Sequence, residues 1–175
     1  MGRIGRAVAR RARGFDMNVI YYDHRNGREK GLSVGTRFCE NLEELSAASD
    51  FISLHLPLTE KTRHMIGHNA FAQMKKNAVL INTARGPIID SDALYDALKS
   101  GRIASAALDV TDPEPLPKHH RLLTLSNCLV VPHIGSATAA TRVRMAELAV
   151  TNLIAGSEGR IPPYLVNPEV IPLRR

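Results

Sequence analysis

Short apolar runs alternate with stretches of helical periodicity along most of the chain. Residues 5–13 read as a helix with Ile4, Val8 and Ala12 on one stripe and the arginines mostly elsewhere, ended by Gly14. A β-type run at 18–22 is closed by Asp23-His24-Arg25-Asn26-Gly27, and a weaker strand at 36–39 leads into a helix at 41–48 capped by Asn41. The next strand is Phe51-Ile52-Ser53-Leu54, stopped by His55-Leu56-Pro57. A short helix at 70–74 precedes Ala78-Val79-Leu80-Ile81-Asn82, the clearest strand of all. Asp90 or Ser91 caps a helix that stops at Gly101 after a basic last turn. Strands at 105–108 and 129–131 and a long helix at 137–155 follow. The tail, 156–175, holds four of the ten prolines and reads as irregular.

Strands that are apolar throughout and alternate with helices predict a parallel sheet covered on both faces. In such a sheet, ligands gather at the carboxyl ends of the strands, where this chain places its Gly-, Asp-, His- and Arg-rich loops. The expected fold class is therefore α/β, a doubly wound parallel sheet.

Composition trims the alternatives. The net charge of +6 is concentrated at the termini, with five arginines and no acid in residues 1–13 and two more arginines at 174 and 175. With few aromatics for base stacking, this excludes nucleic acid as the expected partner. No apolar run approaches the roughly 20 residues of a membrane span. The two cysteines, Cys39 and Cys128, form no metal-like cluster and are expected to be reduced thiols of a cytoplasmic protein. His64 and His68 share the i, i+4 spacing of a helix face, lack any third ligand and read as surface residues. The arginine-rich start fits a first crossover helix better than a transit peptide.

Gly2-Arg3-Ile4-Gly5 opens that helix, and Asp23 follows Gly5 by eighteen residues at a strand end. This is most of the dinucleotide fingerprint G-x-G-x-x-G with its distal acid. Small residues let the backbone approach a diphosphate, and the helix N-terminus stabilises its charge. Asp23 suits the ribose hydroxyls of NAD(H), whereas Arg25 and Arg28 suit the 2′-phosphate of NADP(H), and both signals stand. Elsewhere, His133 with Glu114 nineteen residues upstream can form a general acid with its orienting carboxylate.

Four blocks together resemble the D-isomer-specific 2-hydroxyacid dehydrogenases, and especially their glyoxylate/hydroxypyruvate reductase branch. They are Gly2-Arg3-Ile4-Gly5, then Ser49-Asp50-Phe51-Ile52-Ser53-Leu54-His55-Leu56-Pro57-Leu58-Thr59, then Met74 to Asp90, containing Asn82-Thr83-Ala84-Arg85-Gly86. The fourth is Leu108-Asp109-Val110-Thr111-Asp112-Pro113-Glu114-Pro115-Leu116-Pro117 with Pro132-His133-Ile134-Gly135-Ser136. The resemblance implies that Arg85 binds the carboxylate and carbonyl of a small 2-oxo acid. It implies that His133 protonates the carbonyl oxygen and that Glu114 orients it. Asp109 would meet the nicotinamide side of the cofactor. Leu56, Pro57, Thr62, Thr83 and Ala84 would line the cofactor cleft, and Gly135 and Ser136 would bring backbone close to the nicotinamide. A glutamate at 114, where similar formate dehydrogenases carry glutamine, favours 2-oxo acid reduction.

The same resemblance implies a Rossmann-like domain over 1–155 that lacks its first strand and the N-terminal substrate domain, with 156–175 returning toward the latter. The strands at Val19 and Ile52 would then face a gap, and the chain as written is expected to be unstable or to borrow a strand. Family members are commonly dimers, with the helix from Ala137 near the interface. Two rival readings stand beside the reductase: a dinucleotide-sensing corepressor-type module, and an inert truncated product.

Overall fold

The computed structural model describes residues 1–23 and 35–173; Arg25 and Arg28 lie outside them. The described chain divides into two compact units, Met1–Pro132 and His133–Arg175.

The first unit holds two parallel sheets. Helix α1 (Arg3–Arg13) leads to β1 (Ile20–Tyr21), which pairs in parallel with β2 (Arg37–Phe38). Helix α2 (Leu42–Ala48) follows, its cap formed as the sequence predicts: the Asn41 side chain accepts the Glu44 N–H at 2.8 Å. Strands β3 (Phe51–Leu54), β4 (Val79–Asn82), β5 (Ser105–Leu108) and β6 (Cys128–Val130) then form a four-stranded parallel sheet in sequential order. Between them run α3 (His68–Gln73) and α4 (Ser91–Lys99), with 3-10 turns at Gly86–Ile88 and Arg121–Thr124. Among the described residues no backbone ladder joins β1 to β3, so the break in the sheet falls where the sequence predicts the gap.

The core lies on one face of the larger sheet. Ile52 and Leu54, Leu80, Ala106 and Leu108 alternate inward and meet Ile66, Phe71, Met74, Ile88, Leu94, Leu98, Ile103 and Leu122. The expectation of strands buried on both faces needs correction. Their alternate residues are only half-buried or exposed: Phe51 and Leu129 are 56% and 62% exposed. The α1 stripe is corrected too. Gly5 and Ala9 are buried, while Ile4 and Val8 face outward; a Cβ on Gly5 would meet that of His55 at 3.7 Å, an ordinary packing distance. His64 and His68 do not share a helix: His68 begins α3, and His64 sits in a turn with φ of +50°.

The second unit is built on α5 (Ala139–Ser157), whose N-cap Thr138 accepts the Thr141 N–H, followed by a 3-10 segment at Pro168–Leu173. No helix among the described residues is long and apolar enough to cross a membrane.

Candidate active site

Parallel pairing sends the carboxyl ends of β3, β4 and β5 to one edge of the larger sheet, and each end opens into a polar loop. After β3 come His55, Leu56 and Pro57. The His55 Nε2 lies 2.9 Å from the Ser53 hydroxyl, and burial lowers the imidazole pKa, favouring the neutral ring. Thr62 closes this loop from inside. It is 3% exposed, and its hydroxyl donates to the Pro57 carbonyl and accepts the Thr59 N–H, both at 2.8 Å. Its side chain therefore serves the loop, leaving the surface to Leu56 and Pro57.

After β4 the chain turns sharply at Thr83-Ala84-Arg85. The exposed Arg85 guanidinium donates to the Ala84 carbonyl at 2.6 Å, and no carboxylate among the described residues pairs with it. Gly86 then passes so close to the next loop that a Cβ there would lie 1.9 Å from the Thr111 carbonyl oxygen. Only glycine fits. The contact, with a Ser91 hydroxyl donating to the Asp112 carbonyl at 3.3 Å, fastens the arginine turn to the loop after β5.

That loop begins with the buried Asp109, whose backbone N–H donates to the Asn82 carbonyl at 2.9 Å. It carries the exposed Glu114, whose carboxylate is 3.4 Å from the Thr111 N–H, while the Thr111 hydroxyl donates to the Pro113 carbonyl at 2.8 Å. The Asp112–Pro113 and Glu114–Pro115 bonds are both cis. The structure thus brings Thr83, Ala84, Arg85, Asp109 and the Glu114 loop together.

The dinucleotide half of the prediction rests on α1. Gly2 is its N-cap and has open space where a Cβ would be; no side chain caps the helix, and the first turn holds no acid. The N–H groups of Arg3, Ile4 and Gly5 are therefore available to an anion, reinforced by the helix dipole. The Met1 ammonium pairs with Asp23 at 2.5 Å, which brings the acid beyond β1 beside the start of α1. Glycine turn, helix start and acid therefore converge as a dinucleotide diphosphate and ribose require, and the donor set fits such a group.

His133, Gly135 and Ser136 belong to the second unit, at its start and ahead of α5. His133 is exposed and carries φ of +52°, a left-handed backbone that a non-glycine residue holds only at a cost. Among the described residues no group of three His, Cys, Asp or Glu side chains is placed to hold a metal.

Three residues escape the sequence reading. Gly86 and His55 sit inside the quoted blocks without a role, and Asn82 looks like the polar end of a strand. Only its complete burial marks it out.

Residues 1–135 match the D-isomer specific 2-hydroxyacid dehydrogenase, NAD binding domain family. The chain is 51% identical over 174 residues to a glyoxylate reductase of Korarchaeum cryptofilum, covering 99% of this chain and 52% of that one. The crystal structure of the TT0316 protein from Thermus thermophilus superposes with a TM-score of 0.86 at 48% identity, covering 93% of this chain and 50% of that one. An NADPH-dependent glyoxylate/hydroxypyruvate reductase of Sinorhizobium meliloti, solved with NADP and malonate, gives a TM-score of 0.79 at 35% identity over 88% of this chain and 47% of that one. The chain spans about half the length of the curated relatives it matches. With a parallel Rossmann-like sheet and a glycine-opened first helix, this chain belongs to the D-isomer-specific 2-hydroxyacid dehydrogenases, as their NAD-binding domain.

Proposed function

We propose that this chain is the dinucleotide-binding and catalytic part of a reductase that acts on a small 2-oxo acid such as glyoxylate or hydroxypyruvate. The observation that carries the reading is Arg85: a guanidinium without a carboxylate partner among the described residues, at the ligand edge of the sheet, fastened through Gly86 to the loop that bears Glu114. A planar donor fork suits the carboxylate and adjacent carbonyl of a 2-oxo acid. NADH or NADPH, when bound, supplies the hydride. The backbone of Gly2-Arg3-Ile4-Gly5 would hold its diphosphate and Asp23 its ribose. Leu56, Pro57, Thr83, Ala84 and Asp109 would border it, with Thr62 acting from beneath by holding the Pro57 turn. His133 would hold the proton that the carbonyl oxygen takes up, with Glu114 favouring and orienting the imidazolium. The backbone at Gly135 and Ser136 would approach the nicotinamide. The positive φ of His133 supports an active-site role, since strained backbone gathers at such sites. Assembly as a homodimer through α5 belongs to the same reading, supported by the exposed Val143, Val150 and Ile154 on one side of that helix.

The test is a thermal melt with and without NADH or NADPH, joined to glyoxylate-dependent oxidation of whichever dinucleotide stabilises. A larger shift with NADH assigns the ribose to Asp23, and one with NADPH assigns it to Arg25 and Arg28. Turnover that disappears in His133→Ala while the shift persists supports the reductase over a sensor. No shift and no turnover would overturn the proposal.

A further inference from the structure

We infer that Asn82 is the positioning residue of Arg85, its buried amide setting the backbone from which the guanidinium projects. The inference rests on the reading of Arg85 as the carboxylate-binding group. Asn82 ends β4 and has no exposed surface. Both polar atoms of its side chain are used within the next three residues. Oδ1 accepts the Ala84 N–H at 3.0 Å, and Nδ2 donates to the Arg85 carbonyl at 2.9 Å. Its own carbonyl accepts the Asp109 N–H from the end of β5, so the side chain hangs from a point fixed by two strands. Arg85 therefore has its carbonyl held by Asn82 and its next residue, Gly86, pressed on the Thr111 carbonyl. Its backbone, at φ −147° and ψ 141°, is held on both sides, and its exposed side chain is left to meet a ligand.

No other residue does this in the same space. Leucine would take this partner from the Ala84 N–H and the Arg85 carbonyl, while serine is too short to span both. Aspartate has nearly the same shape and keeps the acceptor for Ala84, but when ionised it sets an oxygen against the Arg85 carbonyl oxygen. A protonated carboxyl restores a donor, and burial favours that neutral form.

The experiment uses the whole chain, with glyoxylate as probe followed by the Arg85 Nε–H resonance and by calorimetry, and NADH titrated separately. In the unsubstituted protein glyoxylate should bind saturably, and Arg85→Ala should abolish that binding. Asn82→Ala should weaken glyoxylate by about tenfold or more while NADH binding stays within about twofold. Asn82→Asp, the safer variant for folding, should be weakened at pH 7.5 and regain affinity as the pH falls, a recovery absent from the unsubstituted protein. A purely structural role would lower the affinities for NADH and glyoxylate together and give no such recovery, and that result overturns the inference. Equal glyoxylate affinity in both Asn82 variants and the unsubstituted protein, with Arg85→Ala still impaired, overturns it while leaving the role of Arg85 intact. Glyoxylate binding that ignores Arg85→Ala, or none in the unsubstituted protein, overturns the reading of Arg85 and the inference with it.

Discussion

Ser46 and Asn82 show opposite fates for a buried polar side chain. Asn82 spends its amide on two backbone groups of the arginine turn. The Ser46 hydroxyl, on α2 and fully buried, has no hydrogen-bond partner among the described residues. An unsatisfied buried hydroxyl carries its desolvation cost with nothing to offset it. Ser46→Ala is therefore expected to leave stability unchanged or raise it by about 1 kcal/mol in urea unfolding. A loss of similar size would show that the hydroxyl has a partner after all. At this scale the sequence was informative about identity but poor about burial. Arg85 and Glu114 stand out as charged residues in loops, whereas nothing in the letters distinguishes Asn82 from a solvated strand end.

At the scale of elements, local chemistry decides most of what happens. Asn41 and Asp90 both cap helices as their positions predict, because a short side-chain acceptor one residue ahead of a helix reaches N–H groups that have no intrahelical partner. Asp90 accepts from Ala93 at 3.1 Å and Asp92 at 3.0 Å, and those bonds, the Ala93 one foremost, hold its carboxyl below the usual aspartate pKa of 3.8. A depressed folded-state pKa adds stability that is complete above the unfolded value and is lost as the pH falls through the folded one. Asp90→Ala should therefore cost about 1 kcal/mol at pH 7, with the difference narrowing below pH 3.8. Asp90→Asn should retain most of the cap and lose the pH dependence. Denaturation midpoints across pH 2.5–7 check both expectations, and a pH-independent penalty in Asp90→Ala would refute the charge argument. The α1 stripe was misjudged for a reason that belongs to this scale. Periodicity shows which residues share a face, yet it does not say which face packs, and the structure buries Gly5 and Ala9 and exposes Ile4 and Val8.

At the scale of the molecule, the buried apolar cluster among the described residues lies within the unit 1–132, on one face of the four-stranded sheet. Leu94 is 1% exposed, on α4, and belongs to that core. Leu94→Ala should cost roughly 3 kcal/mol through lost burial and the cavity left behind, read as a fall in the guanidinium midpoint. A loss under about 1 kcal/mol would mean that the unit is not packed as a native core. The chain's own order of apolar runs, caps and glycine turns determined the parallel α/β fold and the strand ends that carry the loops, and its four motif blocks carried the resemblance to the family. These are local signals, each written in a few neighbouring residues. Tertiary structure alone decided the rest: that one sheet face is the core, and that Gly86 must be glycine. It also decided that Asn82 grips the arginine turn. Those features depend on the distance between segments far apart in the chain, and such distances exist only once the strands have paired and packed.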